Sequence, residues 1–590
     1  MVTRLPEVDA VIVGMGWTGS ILARELTRAG LKVVGLERGP SRTPKNDFKL
    51  PGLRDELKYA VRLELIQDAA KETVTLRHAP SETALPMRRL GAFLPANGLG
   101  GAGVVWNGIT SRFLPSDFVA RTHLTERYGR DVIPPDMTIQ DFGVTYEDLE
   151  PHYDRFEKLC GVSGRAGNLR GKQIEGGNIF EGERRDDYPN KPLVTSKPGV
   201  MFAKAAAELG YHPFPVPSAN SSAVYTNPEG ATLGACEYCG HCDRFGCALN
   251  AKASPNSTLH PALFADRNFE LRDHAYVKEL VYDKTARKVT AVRYVDQRNG
   301  TEYEQPAGLV LLCAYVFNNV QLLLGAGIGV PYDPASGTGV VGRNYCYQTT
   351  NRLQVFFENE EINPFMASGV NGTSIDDLNG DNFDHAGLGF VGGAKLFTSP
   401  PNGRPILFRP VPPGTPRWGA AWKQATAKWY NHSFPINVSG ASYAHRENYL
   451  DLDPNYRDAL GRPLIRMTYD FKDNDRKLLA YTTAVAAKIA KAMNPDIAAE
   501  LTPGRGSFNA TPYQSTHNTG GAIMGAEPAT SVVNRYLQHW DADNLFVIGA
   551  SAFPQNAGYA PTGTVGALAY WCAQAITTQY LKQPAALVDG

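Results

Sequence analysis

The chain has 590 residues with 59 basic and 59 acidic side chains, 20% charged and 43% hydrophobic residues. That length suits two or three domains with a large core. Zero formal net charge gives no electrostatic basis for nucleic acid or an anionic membrane surface as partner. No apolar run reaches the ~20 residues of a membrane-spanning helix; Gly563 to Leu581 is the longest candidate, and Gly566, Gln574, Thr577 and Gln579 interrupt it. Met1 to Asp9 has no apolar signal core, so any export is expected to depend on a partner.

The first predicted element is a strand at Ala10 to Val13, followed by Gly14, Gly16 and Gly19 in GxGxxG spacing. A helix is predicted from Trp17 to Ala29, with Ile21, Leu22, Leu26 and Ala29 on one face and Gly30 as its left-handed stop. A second strand, Lys32 to Leu36, ends at Glu37. Each part has a physical role in dinucleotide binding. Gly14 permits the strand-to-helix turn, Gly16 admits a pyrophosphate, and Gly19 lets helix and strand pack closely. The helix N-terminus offers N–H groups and partial positive charge. Glu37 can accept ribose hydroxyls, which disfavours NADP.

Glu37-Arg38-Gly39 and the second glycine cluster, Gly98-Leu99-Gly100-Gly101-Ala102-Gly103 before Trp106-Asn107-Gly108, favour FAD over NAD. So does the strand Leu545 to Ile548 before Gly549-Ala550-Ser551.

Between these lie four cysteines, Cys236, Cys239, Cys242 and Cys247, spaced CxxCxxCxxxxC. The run is too compact for the usual two-pair zinc site, and a large enzyme has little need of disulfides. An iron–sulfur cluster fits the spacing best, with zinc and disulfide as the alternatives. Cys160, Cys313, Cys346 and Cys572 are expected to be buried, inert thiols. Asn359 to Asn382 and Thr398 to Pro416 are Pro/Gly-rich or polar interruptions of the α/β pattern. No CxxCH haem site occurs, so a cytochrome would be a separate partner.

With the fingerprint, the Gly100 to Gly108 loop, the run Gly308 to Leu324 and the block His517 to Ala569, the sequence resembles the glucose–methanol–choline (GMC) oxidoreductase family. Leu85-Pro86-Met87-Arg88-Arg89, the CEYCGHC run from Cys236 and Ser551 to Ala557 make it most similar to the flavoprotein subunits of membrane-bound sugar-acid and polyol dehydrogenases. The resemblance implies an α/β fold: a Rossmann-like FAD domain built from residues 1–50, 85–120, 250–345 and 505–590. A discontinuous α+β substrate domain, residues 121–249 and 346–504, would carry the cysteine loop. It implies FAD held by Gly14, Gly16, Gly19, Glu37, Gly100, Gly101, Asn107, Gly108, Val277, Gly549, Ala550, Pro561 and Thr562.

The resemblance also implies His517 as the base that takes the substrate's hydroxyl proton, which the near-neutral pKa of histidine suits. Family members carry Asn or His just before the Pro-Thr pair, whereas Ala560 stands there. Asn518 or Asn556 is expected to supply the missing polar contact. Arg88, Arg89 and Arg112 are candidate cations for a sugar-acid carboxylate. The implied cluster is 3Fe-4S, with 4Fe-4S as the alternative. Cys236, Cys242 and Cys247 are its expected ligands, and the fourth metal candidate is Cys239.

The implied reaction oxidises a secondary alcohol, D-gluconate leading and 2-ketogluconate, sorbitol and fructose following. Hydride would pass to FAD and electrons through the cluster to a multi-haem cytochrome c subunit. A small partner subunit would carry the export signal, placing the complex at the periplasmic face of the bacterial inner membrane, with a cytoplasmic enzyme as the alternative. Competing readings are an oxidase or lyase with a zinc or disulfide cysteine run, and a non-catalytic flavin-binding electron-transfer subunit.

Overall fold

The computed structural model describes residues 2–48, 55–398, 404–500 and 506–587. The chain opens with β1 (Val8–Val13), α1 (Trp17–Arg28) and β2 (Val33–Leu36). A long helix, α2 (Tyr146–Cys160), precedes β3 (Phe269–Arg272), β4 (Ala275–Asp283), β5 (Lys288–Asp296), β6 (Glu302–Leu312) and α3 (Val316–Ala326). A second group follows: β7 (Thr349–Phe356), β8 (Thr373–Ile375), β9 (Ala394–Thr398), β10 (Ser433–Gly440), α4 (Asp473–Ala492) and β11 (Ile497–Glu500). β12 (Leu545–Val547) and α5 (Thr562–Ala575) close the chain.

The first sheet runs β3-β2-β1-β6-β5-β4, with β12 and a two-residue strand, Thr3–Arg4, also paired to β6. β3, β2, β1, β6 and β12 are parallel; β6, β5 and β4 form an antiparallel meander. Val11, Ile12, Val310 and Leu311 are fully buried, as expected of parallel strands covered on both faces. Ile21, Leu22 and Leu26 of α1 are buried in the same core, each stabilising by about 1.5–3 kcal/mol. Gly30 takes φ +90 just after α1, matching its expected role.

The apolar run Leu309 to Phe317 divides into a strand end, a turn at Cys313 to Tyr315 and the start of α3, because Tyr315 takes φ +79. Helix α2 falls in the stretch assigned by sequence to the substrate domain, yet Leu149, Tyr153 and Phe156 pack into the first core. Its Phe156 ring sits so close to Gly566 of α5 that a Cβ there would be 2.3 Å away.

The second sheet is antiparallel, in the order β11-β7-β10-β9-β8, with Phe214–Pro215 at the far edge. Side chains alternate between its faces. Leu353, Val355, Ile436, Val438 and Leu396 join Leu478 and Leu479 of α4 in one apolar cluster. The other face carries Thr350, Arg352, Asn437, Ser439, Lys395 and Phe397. β8 and β9 form parts of this sheet from within, or at the border of, segments read as interruptions; residues 399–403 lie outside the described residues. Among the described residues no helix is long and apolar enough to cross a membrane.

Candidate active site

Four parallel strands end on one cavity. Its lining includes Val13 and Gly14 after β1, Glu37 after β2, Cys313 to Tyr315 after β6 and Ile548 to Ala550 after β12. Ligands in open α/β sheets bind at these carboxyl ends. α1 begins at Gly16 with no side-chain cap, leaving its first N–H groups available. α5 likewise begins uncapped at Pro561, and Pro561 and Thr562 line the cavity. Two positive helix ends therefore open on one space.

The three fingerprint glycines differ in their surroundings. A Cβ on Gly14, at φ +95, would lie 2.6 Å from the carbonyl oxygen of Cys313. One on Gly19 would lie 2.0 Å from that of Gly14, whereas Gly16 has nothing within 4 Å of that position. The space beside Gly16 fits the backbone approach of a pyrophosphate.

Gly101, Asn107, Val277, Gly549 and Ala550 line the cavity as expected. Gly19, Gly100 and Gly108 do not. They act through packing instead: a Cβ on Gly100 would strike Asn256 at 1.9 Å, and one on Gly108 would strike Asn220 at 2.7 Å. Glu37 lines the cavity while its carboxylate accepts the N–H groups of Met15 (3.1 Å) and Gly39 (2.9 Å), which braces the turn.

His517 is the one histidine among the described residues that lines the cavity. A short ladder, Cys346–Tyr347 against Asn518–Thr519, sets it beside Gln348. Gln348 Nε2 donates to the carbonyls of Ala557 and Tyr559, both at 3.1 Å, so its Oε1 faces Nδ1 of His517 at 2.5 Å. Nδ1 must then carry the hydrogen, and Nε2 has the free lone pair. Burial, and then the Lys395 ammonium, push the imidazole down to about 4. The neutral base form is therefore the resting form at neutral pH.

Asn518 lines the cavity, gives Nδ2 to Tyr315 Oη at 2.5 Å and leaves a buried Oδ1 without a partner. Asn556 does not line it. Its Nδ2 donates to the backbone carbonyl of His517 at 3.0 Å, which braces the histidine, and its Oδ1 is buried without a partner. Ala560 lines the cavity and adds no polar group.

The arginines proposed from sequence for a carboxylate are elsewhere. Arg88 and Arg89 are exposed and off the cavity. Arg112 is buried in ion pairs with Glu150 (3.1 Å) and Glu157 (2.8 Å). Besides Arg38 and Arg462, which pair with Glu72 and Asp458, the cavity is lined by Arg352, Arg404 and Arg244, from three distant segments. Sequence reading missed these and Gln348. The signal available for Arg352 was its place on the alternating strand Thr349–Phe356, on the face opposite Leu353 and Val355.

All eight cysteines are free thiols, which removes the disulfide reading of the Cys236 to Cys247 run. Cys160, Cys313, Cys346 and Cys572 are buried as expected, and burial pushes Cys313 up to about 12. In the cysteine run, the sulfurs of Cys236, Cys242 and Cys247 accept backbone N–H groups from Tyr238 (3.4 Å), Gly369 (3.2 Å) and Lys252 (3.5 Å). The buried Lys252 ammonium pins the loop, donating to the carbonyls of Val104, Trp106, Cys242 and Phe245 at 2.7–2.9 Å. Among the described residues no group of three or more His, Cys, Asp or Glu is arranged to hold a metal ion. The structure thus gives no support to Cys236, Cys239, Cys242 and Cys247 as a formed metal site.

Residues 200–350 and 444–569 match two family models, each described as GMC oxidoreductase. The gluconate 2-dehydrogenase flavoprotein of Pantoea cypripedii is 48% identical over 592 residues, covering 100% of this chain and 96% of that one. The fructose dehydrogenase large subunit of Gluconobacter japonicus is 26% identical, covering 98% of each. Among solved structures, pyridoxine 4-oxidase from Mesorbium loti superposes with a TM-score of 0.59 at 17% identity, covering 96% of this chain and 99% of that one, which is a likeness of fold.

Proposed function

The chain belongs to the GMC oxidoreductase family and is an FAD-dependent oxidoreductase of alcohols, and from that premise we propose that it oxidises a secondary alcohol of a sugar acid, D-gluconate to 2-keto-D-gluconate. The observation that carries the substrate class is the 48% full-length identity to a gluconate 2-dehydrogenase flavoprotein.

The residues present suit FAD. Gly14, Gly16 and the α1 N-terminus would hold the pyrophosphate, Glu37 and Val277 the adenosine end, and Asn107, Ala550, Pro561 and Thr562 the ring end. Bound there, FAD supplies a two-electron hydride acceptor. The chain's own part is proton handling and orientation. Nε2 of His517 takes the hydroxyl proton, Gln348 fixes the tautomer, and Lys395 opposes premature protonation. Asn518 offers its unpartnered Oδ1 to orient substrate in place of the side chain Ala560 lacks.

An iron–sulfur cluster, 3Fe-4S first, would be held by Cys236, Cys242 and Cys247 and would supply a one-electron relay beside the flavin. The CxxCxxCxxxxC spacing is the support; the N–H groups that meet the three sulfurs would stabilise thiolate charge there. A cytochrome c subunit, a small subunit bearing the export signal and a periplasmic location complete the proposal.

Dye reduction by purified chain, screened over gluconate, 2-ketogluconate, sorbitol and fructose with flavin and iron quantified, tests this. Gluconate should be the preferred substrate of a flavin-bearing chain. Flavin-loaded protein that turns over none of the four overturns it.

A further inference from the structure

One wall of the cavity carries more positive charge than its carboxylates balance. On the cavity face of the second sheet, Thr350, Ser439 and Lys395 form one cross-strand row, and Arg352, Asn437 and Phe397 form the next. Arg352 lines the cavity, and its Nε donates to Asn437 Oδ1 at 3.1 Å. Among the described residues it has no ion-pair partner.

Arg404 and Arg244 line the same wall, each only 8% exposed, and both lean on one carboxylate. Asp243 lies 2.8 Å from Arg404 Nη1 and 3.7 Å from Arg244 Nε. The Nε groups of Arg404 and Arg244 are buried without a hydrogen-bond partner. Tyr513, at the same wall, lies 4.9 Å under the Arg244 guanidinium. Two guanidiniums therefore share one carboxylate, and Arg352 on the same partly desolvated wall has none among the described residues. Burial, and then the charges of Arg404 and Arg244, hold Arg352 below its ordinary value. Such a group is costly unless an anion completes it.

Flavin phosphates would not need this charge, since Gly16 and the α1 N-terminus, which would hold them, adjoin the first sheet. A planar guanidinium fork matches a carboxylate in two parallel hydrogen bonds. Thr350, Asn437 and Ser439 offer hydroxyl and amide partners on the same face for a polyhydroxy chain. We propose that Arg352, flanked by Arg404 and Arg244, receives the substrate's carboxylate and so selects sugar acids over uncharged polyols. The proposal rests on the sugar-acid reading above.

The test compares gluconate with its uncharged amide in the flavin-loaded wild type, Arg352→Met and Arg352→Lys, reading KM and kcat separately. In the wild type the amide should show a KM about 100-fold higher, the scale of a lost charged hydrogen-bond pair. In Arg352→Met the gluconate KM should rise to meet it, with flavin content unchanged, and Arg352→Lys should recover part of the difference. Arg404→Met, with the same readout, replaces Arg352→Met if that variant does not fold. A wild type that oxidises neither compound overturns the sugar-acid reading. A wild type that oxidises both with equal KM, or an Arg352→Met equally impaired on both, overturns the carboxylate role alone.

Discussion

Oε1 of Gln348 lies 2.5 Å from Nδ1 of His517, and the amide can turn no other way because its nitrogen is held by the carbonyls of Ala557 and Tyr559. One side chain thus decides which imidazole nitrogen is free for the substrate. Gln348→Leu should lower kcat by about 10- to 100-fold, the value of one aligned hydrogen bond in a dry site, with KM nearly unchanged. Steady-state kinetics check this. A rise in KM at constant kcat would instead assign Gln348 to substrate binding.

The pH profile follows from His517 being held at about 4. The base is neutral above that value, so this group should impose no inflection near 6.5, and kcat/KM should fall only as pH drops through about 4. Lys395→Met removes the second cause of the lowering and should move the acid limb upward. The same depressed value costs stability in acid: the unfolded chain takes up the proton below its ordinary 6.5 and the folded chain does not. The contribution of His517 to stability therefore declines as pH falls from 6.5 to 4. An acid limb that stays in place in Lys395→Met would show that Lys395 does not govern His517.

Gly16 and Gly19 should separate cofactor binding from folding. Gly19→Ala drives a Cβ against the Gly14 carbonyl and should destabilise by about 1–3 kcal/mol or more. A Cβ at Gly16 meets nothing within 4 Å, so Gly16→Val should melt near the parent temperature as apoprotein, while losing most of its flavin. Thermal denaturation with flavin quantification distinguishes them. Full flavin occupancy in folded Gly16→Val would place the pyrophosphate elsewhere.

For the cysteine run, Cys236→Ser, Cys242→Ser and Cys247→Ser should each lower the iron-to-flavin ratio, and Cys239→Ser should not. Metal analysis of anaerobically purified variants reads this directly. Iron-free wild-type protein would remove the cluster from the account.

The nucleotide fold was legible because glycines at fixed offsets and an acid at the next strand's end report a backbone geometry that few other folds need. The place of His517 on the cavity was legible through family resemblance. Gln348 was not, since its role exists only through a ladder that joins residues 346–347 to 518–519. Arg352, Arg404 and Arg244 meet only after the second sheet folds over the first. Asn556 lies off the cavity with its amide on the His517 backbone, a direction that sequence does not report. Arg112 misled because a buried pair with two glutamates looks, in sequence, like a free cation.

The most direct test is to add gluconate to the anaerobic, FAD-loaded chain and follow the visible flavin absorption. The account predicts bleaching in the wild type, slowed about 10²- to 10⁴-fold in His517→Ala, the usual range for a lost general base. An oxidised flavin band unchanged by gluconate in stoichiometrically loaded wild type would contradict it.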